Sequence, residues 1–557
     1  MYNQDFTPIS GSLGLSAMFA ALPIVTLLVL LGGLKMRSQW AALIALGVAM
    51  AVAISVYGMP ADQSGLAAFE GAAFGLFPIM WIVLTAIWVF NMTVESGHFA
   101  VLRRSVETVS TDQRIQAVMI GFCFGALLEA LAGFGAPVAI TSMMMVALGF
   151  TPIKAASLAL VANTAPVPFG AIATPITTLS EVTGLEKADL GAMVGRQTPL
   201  LAMVLPLSLI AMVDGRRGIA QTWPVAVVAG LAFAVGQYAF SNFGSVELTD
   251  IVAALVSMAA IIAFLRVWKP NDPRLTVSTG STWRVAGPLA GAPMHEPATA
   301  SQDDPNKDPP LEVLRAYAPY LIIVGIFSIA QIPLIKDRLA ESPWTATFQW
   351  PGLHVSTPEG DPLRTLTFTF NWLAGAGTLM LIAGLITMVV ISLSPVRAMR
   401  VAGDTIRQLK WTVLTVVAVL ALAYVVNQSG QTMTLGLWAA GAGSAFAFLS
   451  PLIGWLGVAV TGSDTASNAL FGGVQVAAAH GTGISPVLLA AGNSSGGVFG
   501  KMSSAQHLAI GAAAVRLAGQ EGVLFRRVVV WSIVAMLCMC ALVYLQSMPA
   551  LHWMVVK

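Results

Sequence analysis

Long apolar runs separated by short polar stretches fill almost the whole chain. They fall at about 14–34, 39–58, 73–92, 115–150, 155–180, 189–213, 222–243 and 247–266, and, after a polar loop, at 315–335, 367–392, 411–427, 433–479, 483–515 and 528–547. A helix needs roughly 20 apolar residues to cross a bilayer, so most of these runs predict single membrane helices. Two of them, 115–150 and 433–479, are too long for one crossing and poorly suited to two. Each has a Gly-rich centre, at Gly133/Gly135/Pro137 and at Gly462/Ser463. We read both as re-entrant hairpins, since irregular backbone at membrane depth survives only when buried in protein or lining a wet cavity.

Composition sharpens this picture. Hydrophobic residues make up 57% of the chain and charged ones 10%, against about a quarter charged in soluble domains. The formal net charge is +2 with basic residues dispersed over short loops, so there is no clustered basic face for nucleic acid. The three cysteines, Cys123, Cys538 and Cys540, lie in apolar runs and read as packing residues. The first residues lack the basic stretch of a cleavable signal, so the first apolar run is expected to stay as a membrane helix.

Lys and Arg favour the cytoplasmic side of a membrane. Placing both termini in the periplasm puts Lys35/Arg37, Arg103/Arg104/Arg114, Arg216/Arg217, the loop 267–313, Arg397/Arg400/Arg407/Lys410 and Arg516/Arg526/Arg527 in the cytoplasm. The expected fold is therefore an all-α polytopic membrane protein of about twelve transmembrane helices plus two re-entrant hairpins. The hairpins open to opposite sides, which makes two inverted repeats. The first spans 14–213, with hairpin 115–150 and broken helix 155–180. The second spans 315–547, with hairpin 433–479 and broken helix 483–515. Two linking helices occupy 222–266. The segment 267–313 reads as a flexible cytoplasmic loop, and 336–366 as an external loop against the membrane surface.

The repeats carry matching motifs about 330 residues apart: Asn163-Thr-Ala-Pro-Val-Pro-Phe-Gly170 and Asn493-Ser-Ser-Gly-Gly-Val-Phe-Gly500. Paired interruptions in corresponding segments point to the binding site of a secondary transporter. The rare charges sit at the same places. Glu129 is the only charged residue between Arg114 and Lys154, and Asp464 and Lys501 are the only two between Lys410 and Arg516. Intramembrane charges are functional suspects by default. Lys501 is the candidate carboxylate ligand. Gly133, Gly135, Asn163, Thr164, Gly462, Ser463, Asn493, Ser494 and Ser495 are candidates for substrate contact through backbone, hydroxyl and amide groups. Glu129 and Asp464 are candidates to carry a coupling proton, because low dielectric favours the neutral carboxyl. Bland readings stand beside these: glycines for helix packing, prolines as kinks, Lys501 with Asp464 as a structural ion pair, His507 as a satisfied helix residue, and Arg196 snorkelling outward.

At these motifs the chain resembles the bacterial L-lactate permease family. The resemblance rests on Leu128-Glu-Ala-Leu-Ala-Gly-Phe-Gly-Ala-Pro-Val-Ala-Ile140, Asn163 to Ala171, Thr461-Gly-Ser-Asp-Thr-Ala-Ser-Asn-Ala-Leu470 and Gly496-Gly-Val-Phe-Gly-Lys-Met502. It implies uptake of L-lactate and related 2-hydroxymonocarboxylates such as glycolate, possible D-lactate transport included, by proton symport across the bacterial inner membrane. It also implies a place in a wider group of ion transporters with re-entrant hairpins. The partners expected are a small carboxylate, a proton and the lipid bilayer. Sodium coupling and a passive anion channel are the alternatives; a channel would need a continuous lined pore. No metal-ligand cluster, nucleophile elbow or nucleotide loop appears in the sequence, so neither an enzyme nor a cofactor or metal is expected. Oligomeric state is left open.

Overall fold

The computed structural model describes residues 2–556 apart from Phe134, 271–307, Glu359, Asp361, Arg364 and Thr365. Most of the expected loop 267–313 therefore lies outside the described residues. The chain folds as a mostly helical polytopic membrane protein with little strand. Among the described residues ten helical runs are long and apolar enough to cross a membrane, where the hydrophobic pattern predicts about twelve crossings. The ten include the hairpin arms Gln113–Ala132 and Gln431–Thr461, leave out the shorter apolar helices Pro152–Ala162 and Ala376–Val390, and join one pair of neighbouring runs. The 189–213 and 222–243 segments belong to one stretch, Lys187–Phe243, bent at Asp214–Gly215. The 411–427 segment is the end of a longer helix, Pro395–Gln428, whose polar first half leaves the apolar zone.

One expected helix start is corrected outright. Residues 367–370 read Thr-Phe-Thr-Phe, a two-residue period, and Thr367–Phe370 pairs antiparallel with Ala346–Gln349. The helix begins at Ala376. Alternation of β-branched and aromatic residues favours a strand over a helix.

Near the N-terminus, Tyr2–Asn3 pairs parallel with Val355–Ser356. Gln4 Nε2 donates to the Asn427 and Gln428 carbonyls, both at 2.9 Å. The Tyr2 hydroxyl lies 2.9 Å from the Ser429 carbonyl. The last carbonyls of a helix have no partners within it, and these side chains supply them.

The helices that build the site are labelled α1 to α8: α1 Gln113–Ala132, α2 Ala136–Ala147, α3 Pro152–Ala162, α4 Gly170–Thr183, α5 Phe446–Thr461, α6 Asp464–Thr482, α7 Pro486–Gly500 and α8 Ala505–Ala514. The chain turns between α1 and α2 at Gly133–Gly135, where Gly135 has φ +90°, a conformation only glycine adopts cheaply. The two helices then run antiparallel: Gly125 faces Thr141, Gly121 faces Met145, and Gln113 Nε2 reaches the Leu148 carbonyl at 3.1 Å.

Gly462, with φ +75°, makes the corresponding turn between α5 and α6. Here the expected hairpin 433–479 is displaced. The stretch Ala440–Ala445 contains a further reversal, with Gly443 at φ +58°. The short helix Gln431–Ala439 before it runs parallel to the end of α6, Gly436 meeting Ala477 and Ala440 meeting Gly481. The antiparallel pair is thus Phe446–Thr482. A Gly-Ala-Gly-Ser run within an apolar stretch hides such a turn from hydropathy.

The two motif regions also differ from each other. Asn163–Phe169 is an irregular stretch between α3 and α4, as the prolines at 166 and 168 require. Its counterpart, Asn493–Gly500, is helical to its last residue, and the break follows at Lys501–Ser504. The glycines there serve contact. A Cβ on Gly496 would lie 2.1 Å from the Pro451 carbonyl, and one on Gly500 2.3 Å from that of Trp455. The bland reading holds for these glycines: they let α7 and α5 touch backbone to backbone.

Candidate functional site

Glu129 sits in the last turn of α1, one turn before the Gly133 corner. Its carboxylate is 3% exposed. Two glycines make room for it, since a Cβ on Gly170 would lie 3.0 Å from Oε1 and one on Gly133 3.3 Å. Asn163, where α3 gives way to the irregular stretch, donates Nδ2–H to Oε2 at 3.0 Å. From the other half of the sequence, Lys501 Nζ donates to Oε1 at 2.5 Å. Lys501 is itself 6% exposed, and it lies in the tight turn that separates α7 from α8. Both charges are out of water, where an unpaired ion would be very costly. The pairing is what allows each to remain charged.

Asp464 opens α6, directly after the Gly462 turn, and is 3% exposed. Its Oδ2 accepts from Ser494 Oγ at 2.7 Å and from Asn468 Nδ2 at 3.4 Å. Its Oδ1 rests over Gly497, 2.4 Å from where a Cβ would be, and has no hydrogen-bond partner among the described residues. The structural ion pair weighed for Lys501 and Asp464 is therefore corrected: the acid that Lys501 holds is Glu129. Ser494 and the Gly497 gap draw the Asp464 carboxylate back onto α7.

A cavity of about 310 Å³ lies between these groups. Glu129, Gly133, Gly462, Ser463, Asp464 and Lys501 all line it, together with Gly170 and the start of α8 at Gln506 and His507. The structure thus brings six of the residues singled out in the sequence around one space. Ser463 has a second task there, since its Oγ caps α6 by accepting from the Ala466 N–H at 3.2 Å.

The remaining candidates stand behind this wall. Gly135 abuts Ile510, and Thr164 turns back to the Val161 carbonyl. Asn493 donates to Asn468 Oδ1 at 3.0 Å and accepts from Gln475 at 3.2 Å. Ser495 donates to Gln197 Oε1 at 2.7 Å, and Gln197 in turn donates to Gln546. These residues hold the wall in register through buried amides, a network whose bonds are mutually dependent. Arg196 lies away from the cavity, bonded to Asn242 and the Met554 carbonyl.

Several buried polar residues escaped the sequence reading. Asn468, Gln475, Gln197 and Gln546 carry no charge and so raised no flag. Asp250 is fully buried and accepts from Gln237, which also donates to the Ala165 carbonyl in the irregular stretch. Glu70 is fully buried and accepts from Gln428 at 2.5 Å. Both acids lie near the ends of apolar runs, where a charge reads as interfacial. His507, read in the sequence as a satisfied helix residue, instead lines the cavity and leaves Nε2 without a hydrogen-bond partner among the described residues.

A family model described as L-lactate permease matches residues 16–548. The chain belongs to the L-lactate permease family. It is 40% identical over 572 residues to the L-lactate permease of Bacillus subtilis, covering 100% of both chains. It is 41% identical over 543 residues to glycolate permease GlcA of Escherichia coli, covering 96% of each. Among solved structures it is similar to the YdaH transporter of Alcanivorax borkumensis, with a TM-score of 0.43 at 14% identity over 86% of each chain. Membership in the permease family and the apolar helices make this a multi-pass protein of the inner membrane that transports a small molecule.

Proposed function

We propose that this permease carries L-lactate and related 2-hydroxymonocarboxylates, glycolate among them, into the cell by proton symport. The relatives named for lactate and glycolate transport support the substrate class. The observation that carries the coupling is the buried Lys501–Glu129 pair on the wall of the cavity.

A substrate carboxylate entering the cavity offers Lys501 a second anionic partner. As the ammonium turns to it, Glu129 loses its counter-ion in a site where an unpaired carboxylate is costly. Taking up a proton removes that cost. Substrate and proton are then bound together, and the site carries the same net charge loaded as empty. Asn163, bonded to the far oxygen of Glu129, holds the carboxyl in place in either form. Asp464, facing the same cavity with one free oxygen, is the second proton candidate.

We also read residues 14–213 and 315–547 as two inverted repeats, with the corners at Gly133–Gly135 and Gly462 entering from opposite faces and both termini periplasmic. The matching Asn and Phe-Gly positions of α3–α4 and α7 and the distribution of Lys and Arg support this arrangement.

The test is uptake of labelled L-lactate into proteoliposomes under imposed gradients. Accumulation driven by an inward proton gradient, abolished by a protonophore and indifferent to sodium, is the expected result. Accumulation that needs sodium, or mere equilibration under every gradient, would refute proton symport.

A further inference from the structure

His507 lies in the first turn of α8 and is 1% exposed, yet it lines the cavity that Lys501 and Glu129 share. Its two ring nitrogens are in different circumstances. Nδ1 is 3.0 Å from Ser504 Oγ, the residue that caps α8. Nε2 has no hydrogen-bond partner among the described residues.

The hydrogens can be assigned in turn. A serine hydroxyl has one proton to give, and Ser504 Oγ gives it to the Lys501 carbonyl at 3.0 Å. Ser504 Oγ therefore accepts from His507, which places the ring proton on Nδ1. A neutral imidazole carries only one such proton. The ring is taken as neutral because a second cation buried beside the Lys501 ammonium is disfavoured by desolvation and by like charge. Nε2 is left with a bare lone pair, a buried acceptor without a donor on a residue that lines the cavity. The Ser504 cap fixes its position, on the same seven-residue segment that carries Lys501.

We propose that His507 determines specificity by accepting a hydrogen bond from the 2-hydroxyl of the substrate while Lys501 binds its carboxylate. This rests on the reading of the chain as a 2-hydroxymonocarboxylate transporter and deepens it. An ammonium alone treats all monocarboxylates alike. A lone-pair acceptor does not. It pairs with the hydroxyl proton of lactate or glycolate, finds nothing on propionate, and meets another lone pair on the keto oxygen of pyruvate. A site with a buried polar group made for a substrate hydroxyl rejects the analogue that lacks it, because that group is then left unpaired.

The experiment is competition against labelled L-lactate uptake in proteoliposomes by unlabelled lactate, glycolate, propionate and pyruvate, for the parent and for His507→Leu and His507→Gln. Each preference is a ratio measured within one preparation, so the fraction of folded protein cancels. In the parent, lactate and glycolate compete best. His507→Leu is expected to weaken lactate and glycolate by about tenfold or more while propionate changes by less than about twofold. His507→Gln, whose amide oxygen can accept, is expected to restore part of the preference. Unchanged ratios in His507→Leu, or an equal loss for all four acids, would overturn the proposal, the second outcome assigning Nε2 to the carboxylate. Absence of lactate uptake by the parent would instead refute the transport reading itself.

Discussion

Lys501 and Glu129 lie 372 residues apart in sequence and are joined at 2.5 Å. Each comes from one of the two motif regions, so the contact ties the α1 corner to the break after α7. Removing one member of a buried pair typically costs about 3–5 kcal/mol, whereas replacing both can be nearly neutral. Lys501→Met is therefore expected to lower the thermal stability of the solubilised protein markedly. Lys501→Met with Glu129→Gln should recover much of that loss and still fail to transport. A double variant no more stable than Lys501→Met would mean that the pair is not what the single change disrupts.

Transport separates binding from coupling. Glu129→Gln is expected to abolish accumulation driven by a pH gradient while sparing exchange of internal for external lactate, because the amide keeps the bond from Lys501 but cannot release a proton. Asp464→Asn tests the second acid in the same assay. If both variants accumulate lactate at the parent level, the proton travels by another route.

Affinity tests the ammonium itself. A hydrogen bond to a charged group contributes about 1.5–3 kcal/mol, so Lys501→Ala with Glu129→Gln as background should weaken lactate binding on the order of ten- to a hundred-fold. Lys501→Arg should restore little, since the planar guanidinium does not replace a compact ammonium in a closed site. Binding of lactate within about twofold of the background protein would reduce Lys501 to a structural residue.

Close packing makes a different prediction. A Cβ on Gly454 would stand 1.8 Å from the Asn493 carbonyl, backbone that cannot yield cheaply. Gly454→Ala is expected to cost about 1–3 kcal/mol or more and to reduce the folded yield. Gly325, within Pro310–Ala330 and with nothing inside 4 Å of such a Cβ, is the control, where alanine should stabilise by about 0.5–1 kcal/mol. Equal thermal stabilities for the two variants would refute the packing argument.

Orientation is open to chemistry from either side. With cysteines placed at Thr111 and Thr482 in a cysteine-free background, an impermeant maleimide added to intact cells should label position 482 and spare 111. The reverse pattern would invert the topology, and labelling at both would remove the inverted relation of the two corners.

Much of the site was legible because charges are rare inside apolar sequence. Glu129, Asp464 and Lys501 stood out for that reason alone, and all three line one cavity. Who pairs with whom was not legible, since nothing local distinguishes Glu129 from Asp464 as the partner of Lys501. The motif Asn493–Gly500 misled for a physical reason: glycine serves both broken backbone and touching helices, and only the prolines at 166 and 168 mark the true interruption. The uncharged amides Asn468, Gln475 and Gln197 looked like ordinary helix residues until the fold stacked them. Thr367–Phe370 was readable, and its two-residue alternation was overridden by its hydropathy.

The docking of Gln4 onto the carbonyls of Asn427 and Gln428 sets an order of events during synthesis. Residues 2–4 leave the ribosome well before their partners: the backbone they bind is made more than 400 residues later, and the strand beside them at 355–356 also comes late. An early-translated segment is thus late to find its place. Until it does, the Gln428 carbonyl at the end of Pro395–Gln428 lacks the donor that Gln4 brings, so this segment acts as a closing clasp that only a chain translated past Gln428 can receive.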